Sequence, residues 1–258
     1  MFGNREWLRV KILVIADIHG NAEALAAVLE REHDAESTIF LGDAIMSGPQ
    51  PNETMALLHE ITGTCIMGNH DIEMLQPDRF ADWPPQWLAL NRWILDNFDP
   101  AGYEFLRNLK PAGEYVEGGI RMYLQHGMLP DNPRNALPDS PDERLLLLAE
   151  GSDCPFVLFG HSHIQFRRTV GEQEFINPGS IGQNRCGKRV ACYGVFENGE
   201  FRHCQIEYEP GPWLHAMDQV SSLDEFPDFR EWLKQGLITG YGIGQADPWT
   251  RFAAQGYV

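Results

Sequence analysis

The chain has 258 residues, enough for one well-buried core, and 43% of them are hydrophobic and 22% charged. This composition excludes a disordered chain, a collagen-like fibre and a disulfide-stabilised miniprotein, and the apolar runs are too short to span a membrane. With 20 basic against 37 acidic residues, the formal net charge is −17. Such a surface repels phosphate backbones, which disfavours a role as a nucleic-acid scaffold.

The five cysteines form an odd set without a CxxC pair, so the sequence indicates neither a disulfide framework nor a zinc knuckle. The first residues lack the apolar core and the small-residue cleavage site of a signal peptide. Together these features predict a reduced, cytoplasmic protein.

The first 70 residues alternate between strand and helix patterns. Strands are predicted over 9–16, 37–41 and 64–67, and helices over 21–32 and 52–60. This rhythm is typical of a parallel sheet with right-handed crossovers. In such sheets ligands gather at the carboxyl ends of the strands, and polar clusters follow all three predicted strands.

Residues 72–113, which contain Trp83, Trp87 and Trp93, are predicted to form a helical insert. One interpretation is a pair of covering helices whose tryptophans pack in the core. The other is a lid whose tryptophans stack on a base.

The second half of the chain has a strand pattern interrupted by one helix. A hairpin is predicted over 114–125, a helix over 142–150 and a strand over 156–159. Shorter strands follow at 164–170, 174–176, 189–196 and 201–207. This half is expected to be antiparallel or mixed, and to pack a second sheet against the first.

Pro210-Gly211-Pro212 breaks the chain, which divides it into a domain over 1–210 and a tail over 211–258. One helix is predicted in the tail, over 223–235. The aromatic side chains of the tail are expected to pack on the domain or against the second subunit of a homodimer.

Five short clusters that follow predicted strands carry most of the chemistry. They are Asp17-Ile18-His19, Gly42-Asp43, Gly68-Asn69-His70-Asp71, Gln125-His126-Gly127 and Gly160-His161-Ser162-His163. Neutral imidazoles combined with carboxylate and amide oxygens are the ligands of Mn, Fe, Zn, Co or Ni, whereas Mg and Ca prefer oxygen almost exclusively. The set is too large for one tetrahedral site and suits two metals that share a carboxylate.

The ordered pattern DxH, GD, GNHD, H and GHxH resembles the signature of the calcineurin-like metallophosphoesterases. Asn177-Pro178-Gly179-Ser180 and the segment through Arg185 are similar to the compact bacterial and archaeal phosphodiesterase branch. The resemblance covers residues 9–208. It implies an α/β fold, a four-layer α/β/β/α sandwich of two mixed sheets flanked by helices.

The resemblance also implies the role of each ligand. Asp17, His19 and His163 would hold the first of two divalent transition-metal ions. Asn69, His126 and His161 would hold the second, and Asp43 would bridge the two. Manganese is the metal expected first, and every candidate ligand precedes the tail.

In the family a hydroxide between the metals attacks phosphorus. The resemblance makes His70 the general acid that protonates the leaving oxygen, with Asp71 orienting its imidazole. Asn69 would also contact the substrate. Residues 177–180 are either a tight turn or a wall beside the metals, and in the second interpretation Arg185 faces the substrate phosphate.

The function predicted first is a phosphodiesterase that acts on a small phosphate ester such as a nucleotide. The alternatives on the same fold are a diadenosine polyphosphate hydrolase and a protein phosphatase. A further alternative is a non-catalytic metal-binding or sorting scaffold. It is disfavoured because this chain keeps His70 and every ligand.

Overall fold

The computed structural model describes residues 10–128 and 136–258. Arg9, where the first predicted strand begins, and the N-terminal residues before it lie outside the described residues. The strands are β1 (Lys11–Ile15), β2 (Ser37–Phe40), β3 (Gly113–Glu117), β4 (Ile120–Leu124), β5 (Phe156–Leu158), β6 (Gln165–Val170), β7 (Gln173–Pro178), β8 (Ala191–Glu197) and β9 (Glu200–Ile206).

The helices alternate with these strands at first and then gather in an insert and in the tail. They are α1 (Ala22–Arg31), α2 (Pro51–Leu58), α3 (Asn69–Leu75), α4 (Pro85–Asn97), α5 (Pro100–Asn108), α6 (Asp142–Leu147), α7 (Gly211–Asp218), α8 (Pro227–Thr239) and α9 (Trp249–Ala254). Short 3₁₀ turns lie at Pro77–Phe80 and Ser221–Leu223. No helix in the described parts of the chain is long and apolar enough to cross a membrane.

The strands form two mixed sheets. The first has the order β2-β1-β8-β9, in which β1 is parallel to β2 and antiparallel to β8. The second has the order β3-β4-β5-β7-β6, and its three central strands are mutually parallel. The late strands β8 and β9 therefore extend the first sheet, whereas the sequence pattern suggested that the second half would form a separate sheet.

The two sheets pack face to face with helices outside both of them. Ile12 and Val14 of β1 point to the second sheet, whereas Leu13 and Ile15 point to the helical layer that contains Leu25 of α1. On the far side, α6 and α9 cover the second sheet. The four-layer α/β/β/α arrangement predicted from the sequence is confirmed.

The insert and the tail share one apolar cluster on the outer face of the first sheet. Leu90 and Ile94 of α4 are buried there together with Trp213 of α7 and Leu233 of α8.

Three helices occupy the tail instead of the single helix that was predicted. Pro212 lies in the first turn of α7 and so begins a helix as well as breaking the preceding pattern. A proline is tolerated in this position because the amide hydrogen that it lacks would have no partner within the helix.

The third predicted strand, over 64–67, is reduced to isolated bridges. Cys65 pairs with Phe40 and Ile66 pairs with Lys110. Helix α3 begins directly afterwards at Asn69, which places the polar cluster of this loop on the first turn of a helix.

Candidate metal centre

The predicted ligands lie on loops that follow strands of both sheets. Asp17 follows β1, Asp43 follows β2, His126 follows β4 and His161 follows β5. Within each sheet these strands are parallel, so their carboxyl ends meet at one edge. The packing of the two sheets brings the two edges together.

Asp17, His19 and His163 form the first group, in which the potential ligand atoms all lie within 4.8 Å of one another. The Nε2 atoms of His19 and His163 are 3.2 Å apart, and His163 Nε2 is 3.4 Å from Asp17 Oδ1. These three side chains are the set that the resemblance assigned to the first metal.

Asp43, His126 and His161 form the second group, also within 4.8 Å. Asp43 Oδ2 lies 3.1 Å from His126 Nε2 and 3.9 Å from His19 Nε2, so one carboxylate faces both groups. Asn69 Oδ1 is buried and has no hydrogen-bond partner. The structure therefore brings the bridging candidate between the two groups.

Backbone carbonyls fix the tautomers of three of these histidines. The Nδ1 atoms of His19, His126 and His163 lie 2.9, 2.7 and 2.7 Å from the carbonyl oxygens of Met46, Leu41 and Gln183, respectively. A proton on Nδ1 donates to the carbonyl and leaves the Nε2 lone pair directed into the centre. This carbonyl–histidine arrangement is the one that metal sites use to orient imidazole ligands.

The electrostatics of the centre call for a cation. Burial raises the pKa of Asp17, and it lowers the pKa of both His19 and His161 to about 3, so these imidazoles are neutral donors. Burial also lowers the pKa of His126, but the Asp43 carboxylate outweighs it and raises that pKa to about 10. A cation between His126 Nε2 and Asp43 Oδ2, whether a proton or a metal ion, satisfies both atoms.

Most of the predicted ligands have a left-handed backbone. Positive φ angles between 49° and 66° occur at Asp17, His19, Asp43, His161 and His163. Each such angle costs on the order of 1–3 kcal/mol in a residue with a side chain. The strained conformation directs alternate residues of a loop, such as Asp17 and His19, towards the centre.

Two glycines allow the loops to approach the carboxylates. A Cβ atom at Gly68 would lie 2.2 Å from Asp43 Oδ1, and one at Gly160 would lie 2.8 Å from Asp17 Oδ2. The glycines beside the polar clusters therefore leave room for the carboxylates themselves.

His70 lies next to both groups, with a ring nitrogen within 4.8 Å of the ligand atoms of His19 and Asp43. Its Nδ1 is 2.6 Å from Glu73 Oε2, one turn along α3. Burial lowers the pKa of His70, but the Asp43 and Glu73 carboxylates outweigh it and raise the pKa above its usual value. The ring is therefore suited to carry a proton beside the metal-binding groups.

The prediction that Asp71 orients His70 is wrong in this structure. The two carboxylate oxygens of Asp71 accept hydrogen bonds from the backbone amides of Asp43, Ala44 and Gly68, at distances of 2.8–2.9 Å. Asp71 thus ties the Asp43 loop to the start of α3. Glu73, which the sequence analysis did not single out, makes the contact with His70.

Arg185 lies at the rim of the centre. One terminal guanidinium nitrogen is 3.4 Å from His163 Nε2, and the guanidinium lies 4.9 Å from the ring centre of Trp249. Burial lowers the pKa of Arg185 to about 10, so the group is still cationic at neutral pH.

Residues 177–180 brace the ligand loops from behind. The side-chain Nδ2 of Asn177 donates a hydrogen bond to the backbone oxygen of Gly160 at 2.7 Å. The side-chain Oγ of Ser180 donates one to the backbone oxygen of Asp17, also at 2.7 Å. The segment joins the loop of His161 to the loop of Asp17 and makes no direct contribution to the ligand groups.

The sequence profile of the calcineurin-like phosphoesterase superfamily domain matches residues 10–199. The chain is 28% identical over 223 residues to an uncharacterized protein of Methanocaldococcus jannaschii, with 77% of this chain and 88% of the relative covered. It is 25% identical over 201 residues to a probable metallophosphoesterase of Mycoplasma genitalium, with 77% of this chain and 95% of the relative covered.

A solved metallophosphoesterase structure from Sphaerobacter thermophilus has the same fold, with a TM-score of 0.69 at 23% identity. That comparison covers 90% of this chain and all of the other. Because the profile extends from β1 to the turn before β9 and includes both groups of candidate metal ligands, the chain belongs to the calcineurin-like phosphoesterase superfamily.

Proposed function

We propose that this protein is a phosphodiesterase that uses two divalent transition-metal ions, with manganese as the native metal. The observation that carries the proposal is the position of Asp43, whose Oδ2 faces His126 of one ligand group and His19 of the other. Further potential ligand atoms are Asn69 Oδ1, which is buried without a hydrogen-bond partner, and Nε2 of His19 and His126. Backbone carbonyls bind Nδ1 of these two histidines and so orient Nε2 towards the centre. This mixture of imidazole nitrogen and oxygen suits the metals from Mn to Zn.

Bound metal ions at these groups would lower the pKa of a water molecule and offset the charge of the phosphoryl oxygens. Hydrolysis forms one bond from water oxygen to phosphorus and breaks the bond from phosphorus to the leaving oxygen. His70 supplies the proton that the leaving oxygen takes up, and solvent restores that proton. Glu73 keeps Nδ1 of His70 occupied, so that Nε2 is the nitrogen that donates.

The cleft beside His70 favours a diester over a monoester. Its volume is about 350 Å³, and Arg185 is the one lysine or arginine among its described lining residues. A monoester is close to a dianion at neutral pH, whereas a diester carries a single charge and has a second organic group to accommodate. The apolar part of the lining, which includes Trp83 and Trp87, provides a surface for that group.

The test compares a diester with a monoester on protein that is reconstituted separately with Mn, Fe, Co, Ni and Zn. We expect two metal ions per chain by elemental analysis, and at least a tenfold higher kcat/KM for bis-p-nitrophenyl phosphate than for p-nitrophenyl phosphate. In Asp43→Asn, metal content and activity should fall together because one residue serves both. Asp96→Asn, an exposed carboxylate on α4, is the matched control. A preference for the monoester, or full activity with a single bound ion, would contradict the proposal.

A further inference from the structure

The cleft beside the metal-binding groups has one polar end and one aromatic wall. His19, His70 and Arg185 line the polar end, and the wall consists of Trp83, Pro84, Trp87 and Ile243. The volume, about 350 Å³, lies at the lower end of the roughly 300–1,000 Å³ found for small-molecule sites. One small organic group fits there.

The wall packs against aromatic residues of the tail. The rings of Trp83 and Trp87 meet edge to face at 6.3 Å. Trp87 in turn meets Phe229 at 4.9 Å and Trp232 at 6.1 Å, and these two residues of α8 stack on each other. These aromatic contacts with α8 define the position of the Trp87 indole before a ligand enters.

The wall is also continuous with the reacting end of the site. The Trp83 ring lies edge to face with the His70 imidazole, at 5.6 Å and 85°. A phosphate ester whose leaving oxygen approaches His70 therefore has the organic group on that oxygen, the leaving group, beside Trp83. Both tryptophans are half-buried and keep part of their ring surface towards the cleft.

We propose that this wall binds the base of a nucleoside phosphate ester, and that Trp83 and Trp87 make the protein selective for nucleotide substrates. This inference rests on the proposed phosphodiesterase function. Indole faces stack on flat heteroaromatic rings and gain about 1–3 kcal/mol per base, whereas an alkyl group gains only the burial of its apolar surface. Gln183 and Ser47 are polar residues of the same lining and offer hydrogen bonds to the edge of a base.

A pair of diesters that differ only in the base isolates the interaction. Thymidine 5′-(methyl phosphate) carries a base, and its abasic analogue, 1,2-dideoxyribose 5-(methyl phosphate), does not. In the wild-type protein we expect kcat/KM to be at least tenfold higher for the nucleoside ester. In Trp83→Ala and Trp87→Ala this ratio should fall about 10-fold or more, the change that corresponds to the loss of one stacked base. Trp83→Phe and Trp87→Phe retain an aromatic face and should recover most of the ratio.

Trp93→Ala is the matched control, because Trp93 lies on the same helix as Trp87 but does not line the cleft. Circular dichroism of each variant checks that the fold is intact, and the phenylalanine variants keep the test available if an alanine variant unfolds. A second readout is the calorimetric affinity of the metal-loaded protein for thymidine 5′-monophosphate relative to inorganic phosphate, which the two alanine substitutions should reduce.

The two proposals fail in different ways. Absence of hydrolysis of both diesters would overturn the phosphodiesterase function itself. Equal kcat/KM for the two esters in the wild-type protein, or an unchanged ratio in both alanine variants, would overturn the base-binding wall and leave the phosphodiesterase function standing.

Discussion

Glu73 Oε2 lies 2.6 Å from Nδ1 of His70, one turn further along α3. The contact fixes the tautomer of the imidazole and contributes to its raised pKa, because a nearby carboxylate stabilises the protonated form. Glu73 is therefore a positioning residue for the proposed acid.

Glu73→Gln should lower activity about 10–100-fold, the usual cost of removing a partner of this kind. Loss of the negative charge also lowers the pKa of His70, and a general acid must be protonated to act. The alkaline limb of the pH–kcat profile should therefore move to lower pH. The profile of Glu60→Gln, an exposed carboxylate two residues beyond α2, should match that of the wild-type protein. An unshifted limb in Glu73→Gln would assign the contact a purely structural role.

His70→Ala should retain its metals and lose activity according to the leaving group. An alkoxide is a strong base and needs a proton, so the loss on a dialkyl or nucleoside ester should be about 10²–10⁴-fold. p-Nitrophenolate leaves readily without a proton, so its loss should be small. Elemental analysis must accompany the rates, since a missing metal ion would make His70 a ligand. Equal losses on both ester types would make His70 a phosphate-binding residue instead.

Asp71→Asn should affect metal content first. The carboxylate accepts hydrogen bonds from the amides of Asp43, Ala44 and Gly68 and thus sets the position of the Asp43 loop. An asparagine offers one acceptor oxygen in place of two, so the loop should loosen and metal affinity should fall about 10–100-fold. Titration with Mn²⁺ measures this directly. At saturating metal the dependence on leaving group should match the wild-type protein, which separates Asp71 from Glu73 and His70.

The left-handed backbone at His161 predicts that a glycine substitution leaves the protein more stable than an alanine substitution does, which is the reverse of the usual order. His161→Ala and His161→Gly both remove the imidazole, but only the alanine keeps a Cβ atom at a φ of 66°. In metal-free protein the glycine variant should be about 1 kcal/mol more stable, given that a left-handed conformation costs an L-residue roughly 1–2 kcal/mol. Urea unfolding in the presence of a chelator measures the difference. A more stable alanine variant would mean that the loop relaxes once the histidine is removed.

The sequence was sufficient to predict which side chains come together at the candidate centre, because each of them follows a strand-like run and is flanked by recognisable motif residues. Asp17, Asp43 and His126 follow strands β1, β2 and β4 as expected. Glu73 was missed because its role depends on α3 beginning at Asn69, which places residue 73 one turn beyond His70. The predicted helical insert started at residue 72, which left His70 outside the helix that carries Glu73.

Other features depend on contacts that a linear pattern does not contain. The left-handed angles at Asp17 and His161 arise from packing between loops of different sheets, for example the hydrogen bond from His161 N to Asp17 Oδ2 at 3.0 Å. The placement of β8 and β9 in the first sheet depends on the edge of β1 that does not pair with β2, and a linear pattern does not show that edge. The tail helices were obscured by prolines that start helices as readily as they end them.

The 3.2 Å contact between His19 and His163 joins residues that are 144 positions apart in the chain and lie on loops of different sheets. A metal ion held by both would act as a removable cross-link between the two halves of the sandwich. Because the donors come together only after both sheets have formed, the ion would bind the folded chain in preference to the unfolded one. A higher concentration of the ion would then raise the melting temperature, and a free concentration 100 times the Kd would add about 2.7 kcal/mol to the free energy of unfolding.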